Sequence, residues 1–331
     1  MRLSTISLPA FSLGAVLAAA CAGGTWSAAQ AAPAVVASIK PVHSLVAAVM
    51  QGVGTPILLV EGAGSPHTYS LKPSQAKALA EAEVVFWVGE GLEHFLERPL
   101  ESLAADAKSV PLMEARGMIL LPNREGGTFE PEADEDEHAH AEGEGHDDHD
   151  HEQDHDHGDF DPHVWLDPDN ATAMVAAIAD TLAAVDPQNA ERYRANADAE
   201  TRRLAALTDE LTATLAPVRA RPFIVFHDAW HYFETRFGLT AAGSITVNPE
   251  TPPGARRVAE IRDKVRELDA TCVFAEPQFE PALVSVVIEG TGARAAVLDP
   301  LGADLPDGPD LYFTLLRRDA RSLRDCLTPA G

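Results

Sequence analysis

Residues 35–60, VVASIKPVHSLVAAVMQGVGTPILLV, decide the fold class of this chain. The runs 35–39 and 57–60 are apolar and rich in β-branched residues, as buried strands are, and residues 44–50 between them have a helical pattern. A strand, a helix and a second strand in this order predict a parallel sheet that is covered by helices. We therefore expect an α/β protein.

The same alternation continues on both sides of an acidic segment near the middle of the chain. Before this segment, helical patterns over residues 74–82 and 92–103 flank the apolar run 84–88. After it, three more β-rich runs follow, at residues 223–226, 272–275 and 295–298. Because about 300 residues exceed one comfortable core, the repetition predicts two open α/β lobes.

A long helical segment separates the two predicted lobes. Residues 189–216 are rich in Ala, Glu, Arg and Leu, and at 1.5 Å per residue they would span roughly 40 Å. Their leucines are spaced three or four residues apart, on one helical face: Leu204, Leu207, Leu211 and Leu215. We expect an N-terminal lobe over residues 32–188, a stiff linking helix over 189–216 and a C-terminal lobe over 217–331.

Residues 1–31 are typical of a secretory signal peptide. Arg2 precedes an apolar run over residues 8–20, and Ala29-Gln30-Ala31 forms an A-x-A cleavage site. No later segment offers the roughly 20 continuous apolar residues that a membrane helix needs. We expect an exported protein, with lipid anchoring at Cys21 as an alternative. Two cysteines then remain, Cys272 and Cys326, which form either a disulfide or two buried thiols.

The formal net charge of −26 argues against nucleic acid and anionic membranes as partners and fits a cationic ligand. Residues 130–161 contain sixteen acids, seven histidines and no lysine or arginine. Without apolar periodicity, this stretch predicts a mobile loop over about 124–160, inserted into the first lobe. Its histidines alternate with carboxylates and predict weak, reversible zinc capture, against the alternative of a merely solvated loop. They are His138, His140, His146, His149, His151, His155 and His157.

Three other histidines occupy comparable places in the pattern. His67 comes after the predicted strand 57–60, His163 lies in the turn-rich stretch DPHVWLDP, and His227 directly follows the predicted strand 223–226. Ligands of open α/β sheets bind beyond the carboxyl ends of strands, where Asp299 is also predicted to lie. Three imidazoles with one oxygen suit tetrahedral zinc, whereas manganese prefers more oxygen ligands. The alternative is a set of isolated structural histidines.

Other chemistry finds little support in the sequence. His227 and His231 are spaced as in the H-E-x-x-H pair of zinc proteases, but that pair requires a helix and His227 is predicted to end a strand. His43 and His94 are interpreted as residues of helices rather than as ligands. There is no G-x-S-x-G and no glycine-rich phosphate loop, so we expect no enzyme. A zinc hydrolase remains an alternative, because three histidines and a water also describe catalytic zinc.

Several motifs together resemble those of a known family. Residues 65–74, SPHTYSLKPS, are similar to the first-ligand motif of zinc-specific ABC-transporter binding proteins. Further matches occur in the family's order at residues 161–168, 226–229, 248–250, 274–278 and 298–302. On these motifs the sequence is identified as a member of the cluster A-I, or ZnuA-like, family of zinc carriers.

This resemblance implies two lobes, zinc in the cleft between them, and delivery of zinc from the periplasm to an ABC permease in the inner membrane by a monomer. It assigns His67 and His163 to the first lobe and His227 to the second. Some relatives use a Glu directly before the first histidine, but Pro66 stands there, so Asp299 or water is the fourth ligand. The family also implies a disulfide between the two mature-chain cysteines. A manganese or iron carrier of the same fold and a zinc-buffering protein remain alternatives.

Overall fold

The fold is built on two parallel sheets of four strands each. The computed structural model describes residues 31–124, 160–246, 249, 253–268, 272–280 and 282–329. The first sheet has the order β2-β1-β3-β4 and contains β1 (Val35–Ala37), β2 (Ile57–Leu58), β3 (Val84–Trp87) and β4 (Lys108–Pro111). The second has the order β6-β5-β7-β8 and contains β5 (Phe223–His227), β6 (Ala241–Thr246), β7 (Cys272–Ala275) and β8 (Arg294–Val297). The α/β prediction is confirmed.

The helices follow the strands in the alternation that the sequence predicted. In chain order they are α1 (Lys40–Val49), α2 (Pro73–Ala80), α3 (Glu97–Ser102), α4 (Pro168–Val185), α5 (Ala190–Leu215), α6 (His231–Phe237), α7 (Ala255–Glu267), α8 (Ala282–Ile288) and α9 (Leu311–Leu327). Within the described ranges, no helix is both long and apolar enough to cross a membrane.

The central strands β1 and β5 are buried along their whole length, because their apolar side chains are covered on both faces. In each sheet the neighbours are parallel, for example with Val36 opposite Ile57 in the first sheet and Cys272 opposite Arg294 in the second. All carboxyl ends of one sheet therefore lie at one edge. Loops leaving that edge are able to converge on a shared site.

The predicted linking segment is the 26-residue helix α5. Its buried face contains Leu204, Leu207, Leu211 and Leu215, as the spacing indicates. It packs against α1 and α4, which follow strands of the first sheet, and against α9, which follows the second. The Arg203 guanidinium lies 4.0 Å from the ring centre of Phe313 in α9, where a cation–π contact stabilises the packing. The exact lobe boundaries over 32–188 and 217–331 stay a prediction.

The two cysteines of the mature chain form a disulfide between β7 and α9, which confirms the family's implied pairing and excludes two free thiols. The predicted signal peptide, except Ala31, and the seven histidines of the acidic loop lie outside the described residues.

Replacing Cys272 and Cys326 together by alanine is expected to lower the free energy of unfolding by about 4 kcal/mol. The bridge closes a loop with a sequence separation of 54, and loops of that size lose substantial entropy when cross-linked in the unfolded chain. Denaturant unfolding of the two proteins checks this value. Equal unfolding free energies would show that the bridge does not stabilise the fold.

Candidate metal centre

Three loops bring His67, His163 and His227 together. His67 lies after β2, His163 directly precedes a short 3₁₀ turn over Val164–Leu166, and His227 is the last residue of β5. One ring nitrogen of each histidine lies within 4.8 Å of those of the other two. His163 and His227 are buried, and His67 is half-buried. The structure thus unites side chains that are 160 residues apart along the chain.

The spacing of the ring nitrogens is that of metal ligands. The Nε2 of His163 lies 3.3 Å from the Nε2 of His67 and 3.2 Å from the Nε2 of His227. Two corners of a tetrahedron with Zn–N bonds of 2.0–2.1 Å lie about 3.3 Å apart. Neutral imidazoles that point lone pairs at one another repel unless a cation lies between them. The geometry therefore fits one small cation held by three nitrogens.

Carboxylates fix the orientation of two of the rings. The Nδ1 of His163 lies 2.7 Å from Oδ1 of Asp161, and the Nδ1 of His227 lies 2.7 Å from Oε1 of Glu276. Because an ionised carboxylate only accepts, each Nδ1 carries the proton and each Nε2 keeps its lone pair for a metal. The sequence analysis assigned no role to Glu276. The signal that could have indicated its contact with His227 is its position directly after β7, which pairs with β5.

Burial keeps two of the imidazoles neutral. Burial, followed by the positive charges that His163 and His227 would carry when protonated, lowers the pKa of His67 to about 2. Burial also lowers the pKa of His163 well below its ordinary value, followed by the effect of His227. Burial alone would lower the pKa of His227, but the charge and hydrogen bond of Glu276 outweigh it and raise that pKa. Neutral imidazole is the form that binds metal.

The cavity beside the three histidines is small. Its volume is about 10 Å³, close to the minimum that one water requires. Its walls include the apolar side chains of Pro66, Trp165, Phe279 and Leu301. This space is about the size of one water molecule.

Asp299 is not a member of the histidine group. Its Oδ1 accepts hydrogen bonds from the backbone N–H groups of Leu301 and Gly302 and from Nε2 of Gln278, and its Oδ2 accepts from the N–H of Ala303. The turn requires Gly302, whose φ of 73° is left-handed. The carboxylate is thus engaged by four donors of its own lobe.

The remaining described histidines lie elsewhere. His43 is buried in α1 with Nε2 3.1 Å from the carbonyl oxygen of Pro56, and His94 is exposed beside Glu97. His231 begins α6, whereas His227 ends β5. The two therefore do not share one helical face, and the zinc-protease interpretation is excluded.

Arg124 ties the start of the acidic segment to the metal centre. Its Nε donates to Oδ2 of Asp228 at 3.0 Å, and its Nη1 and Nη2 donate to the two carboxylate oxygens of Glu234 at 3.1 and 2.9 Å. Asp228 is the residue after His227. The arginine therefore joins residues that flank the acidic segment to the loop after β5.

Replacing Arg124 by glutamine is expected to lower the free energy of unfolding by about 3 kcal/mol, because two largely buried carboxylates lose their cation. Chemical unfolding measures the loss. The matched control is Arg116→Gln, at an exposed arginine, which should change stability by less than about 0.5 kcal/mol. Equal effects of the two variants would contradict a structural role of the Arg124 pairs.

Comparison with known proteins identifies relatives of this chain that are named for zinc uptake. The sequence profile of the ZnuA family, described as zinc-uptake complex component A, periplasmic, matches residues 35–326. The high-affinity zinc uptake system protein ZnuA of Brucella suis biovar 1 (strain 1330) is 56% identical over 305 residues, which cover 89% of this chain and 91% of that protein. The protein of the same name from Paracoccus denitrificans (strain Pd 1222) is 43% identical over 316 residues, or 94% and 97% of the two chains.

Solved structures agree with the sequence relatives. A crystal structure of ZnuA superimposes with a TM-score of 0.71 at 28% identity and covers 89% of this chain and 98% of that one. A ZnuA deletion mutant with zinc bound gives the same TM-score and identity over 90% and 98% of the two chains. By its profile match, its identity to curated relatives and its fold, the chain belongs to the ZnuA family.

Proposed function

We propose that this chain is a periplasmic high-affinity zinc-binding protein that delivers Zn²⁺ to the permease of an ABC transporter for zinc uptake. The observation that carries the proposal is the convergence of three Nε2 atoms, with spacings of 3.2 and 3.3 Å, on one point. The names of its relatives, high-affinity zinc uptake system proteins, support the same cargo. His67, His163 and His227 are the proposed ligands.

The donor set favours zinc over manganese or iron. Three imidazole nitrogens form the group, and no carboxylate of the described chain joins them. Hard cations such as manganese prefer carboxylate, carbonyl and water oxygens, whereas imidazole suits zinc. The fourth position is proposed to hold water rather than Asp299, because both oxygens of that carboxylate already accept hydrogen bonds.

Binding rather than hydrolysis is the proposed activity. A zinc hydrolase requires a general base beside the metal and room for its substrate. Here Asp161 and Glu276 are engaged in orienting His163 and His227, and the cavity has a volume of about 10 Å³. The acidic segment remains a proposed accessory zinc collector.

Calorimetry with zinc and manganese tests the proposal on the full chain and on a variant lacking residues 130–157. The antiparallel bridge between Pro122 and Phe160 brings the flanking residues together, so a short turn can rejoin them. We expect one tight zinc per shortened chain and much weaker manganese binding. Loss of all tight zinc binding in the shortened chain would identify the acidic segment as the receptor and contradict the three-histidine site.

Delivery to a permease needs a separate test, since a zinc-buffering protein would bind zinc equally well. Capture of the inner-membrane permease by the zinc-loaded chain from detergent-solubilised membranes is the expected result. Zinc binding without any permease capture would favour the buffering alternative.

A further inference from the structure

A buried amide oxygen borders the metal centre without a partner. Gln278 lines the cavity beside the three histidines. Its Oε1 is shielded from solvent and has no hydrogen-bond partner among the residues that the structure describes. An unsatisfied buried acceptor destabilises a protein. This oxygen is therefore placed for a donor that arrives with the cargo.

Asp299 fixes the orientation of this amide. The Gln278 Nε2 donates to Oδ1 of Asp299 at 2.9 Å. The same carboxylate accepts hydrogen bonds from three backbone N–H groups, those of Leu301, Gly302 and Ala303, so its oxygens serve as acceptors. The amide nitrogen must then face Asp299, and the amide oxygen must face the other way.

Two other polar side chains around the cavity have partners on the protein. The Trp165 Nε1 donates to the carbonyl oxygen of Pro300 at 2.8 Å, and the Nδ1 of His227 donates to Oε1 of Glu276, whose Oε2 has no hydrogen-bond partner among the described residues. Three imidazoles leave one tetrahedral corner open, and the cavity has space for about one water. A water bound to a divalent cation is a strong hydrogen-bond donor, because the cation withdraws charge from it.

We propose that Gln278 is a positioning residue whose Oε1 accepts a hydrogen bond from the water that completes zinc coordination. Asp299 orients the Gln278 amide and does not bind the metal itself. This inference rests on the proposed zinc function and deepens it. It also provides a specificity device, because a neutral oxygen at the fourth corner keeps the ligand set poor in carboxylate, which disfavours manganese.

Cobalt absorption spectroscopy tests the inference on the full chain, with Co²⁺ as the probe. Gln278→Met has nearly the same length but lacks the acceptor, and Gln51→Met is the matched control at an exposed glutamine that does not line the cavity. The His163→Ala variant lacks one proposed ligand. It therefore gives the reference spectrum of cobalt that is bound outside the three-histidine centre. The readouts are Co²⁺ and Zn²⁺ affinity, and the pH midpoint of the alkaline change in absorption that reports deprotonation of a bound water.

For Gln278→Met we expect affinity to fall about tenfold, as when an outer hydrogen-bond partner of a metal site is removed, and the alkaline midpoint to move. Gln51→Met should change neither. Thermal unfolding, followed by circular dichroism, establishes that each variant is folded. A displaced midpoint in a folded Gln278→Met protein is a result that a merely structural glutamine would not give.

Two results would overturn the role of Gln278 and leave the zinc function intact. The first is an unchanged affinity and midpoint in Gln278→Met. The second is an altered cobalt spectrum in this variant when the unmodified chain shows no alkaline transition, because the amide oxygen would then bind the metal itself. If the unmodified chain gave the same cobalt spectrum as His163→Ala, cobalt would not be bound at the three-histidine centre. That result would contradict the proposed function.

Discussion

Replacing His163 by alanine is expected to abolish tight zinc binding at the three-histidine centre. Its Nε2 is the near neighbour of both other ring nitrogens, at 3.3 Å from His67 and 3.2 Å from His227. Loss of an outer hydrogen-bond partner weakens metal sites by about 10–100-fold, and loss of a ligand removes a metal bond outright. We therefore expect a decrease in affinity well beyond that range.

The measurement is zinc calorimetry on chains lacking residues 130–157, so that the acidic segment does not contribute. His94→Ala is the matched control, since His94 is exposed and pairs only with Glu97 within the described contacts. His163 is buried, so thermal unfolding of the metal-free proteins must accompany the titration. A folded His163→Ala protein that still binds one zinc tightly would remove the basis of the ligand assignment.

The three proposed ligands could be selected from the sequence because each belongs to a pattern that is local in sequence. His227 follows a run of four apolar residues and ends β5, and the leucine spacing predicted α5 to within a few residues at each end. Residues 92–103 were predicted as one helical stretch, yet a 3₁₀ turn over His94–Leu96 precedes α3. Pro99 has no backbone N–H, which favours its place in the first turn of α3.

The partner of His227 was not predictable from its motif, because that pairing depends on a tertiary contact. Glu276 is 49 residues from His227, and nothing in its motif distinguishes a hydrogen-bond partner of imidazole from a residue that shapes a turn. The Asp299 prediction used only its place after a strand. The backbone turn at Leu301 and Gly302, which directs N–H groups at the carboxylate, is set by local dihedral angles that composition does not report.

Zinc affinity is expected to fall about tenfold per pH unit between pH 6 and pH 5, with the competition of one proton rather than three. Three histidines with ordinary pKa values near 6.5 would each compete, for about a thousandfold per unit. Burial lowers the pKa of His67 to about 2 and that of His163 well below its ordinary value, so both stay neutral in this range.

His227 is the proposed ligand that is expected to take up the competing proton. Glu276 raises its pKa above the ordinary value against the effect of burial, so the imidazolium begins to form at a pH above 6.5. A raised pKa means that the metal-free state gains a proton as the pH falls, and zinc must displace this proton. Zinc binding should therefore start to weaken at a higher pH than an ordinary histidine would give, with a slope of about one from the imidazoles. Burial also raises the pKa of Asp161, the partner of His163, to about 6, so protonation of this carboxylate should steepen the fall at lower pH.

Glu276→Gln provides the matched variant for this pH dependence. It removes the charge that raises the pKa of His227 and keeps the size of the side chain, so the onset of proton competition should move to lower pH. Zinc affinity of both shortened chains, measured from pH 8 to pH 5 against a chelator, gives the two slopes. A slope near three would show that all three imidazoles titrate together, and an onset unmoved by Glu276→Gln would show that its carboxylate does not control the proton on His227.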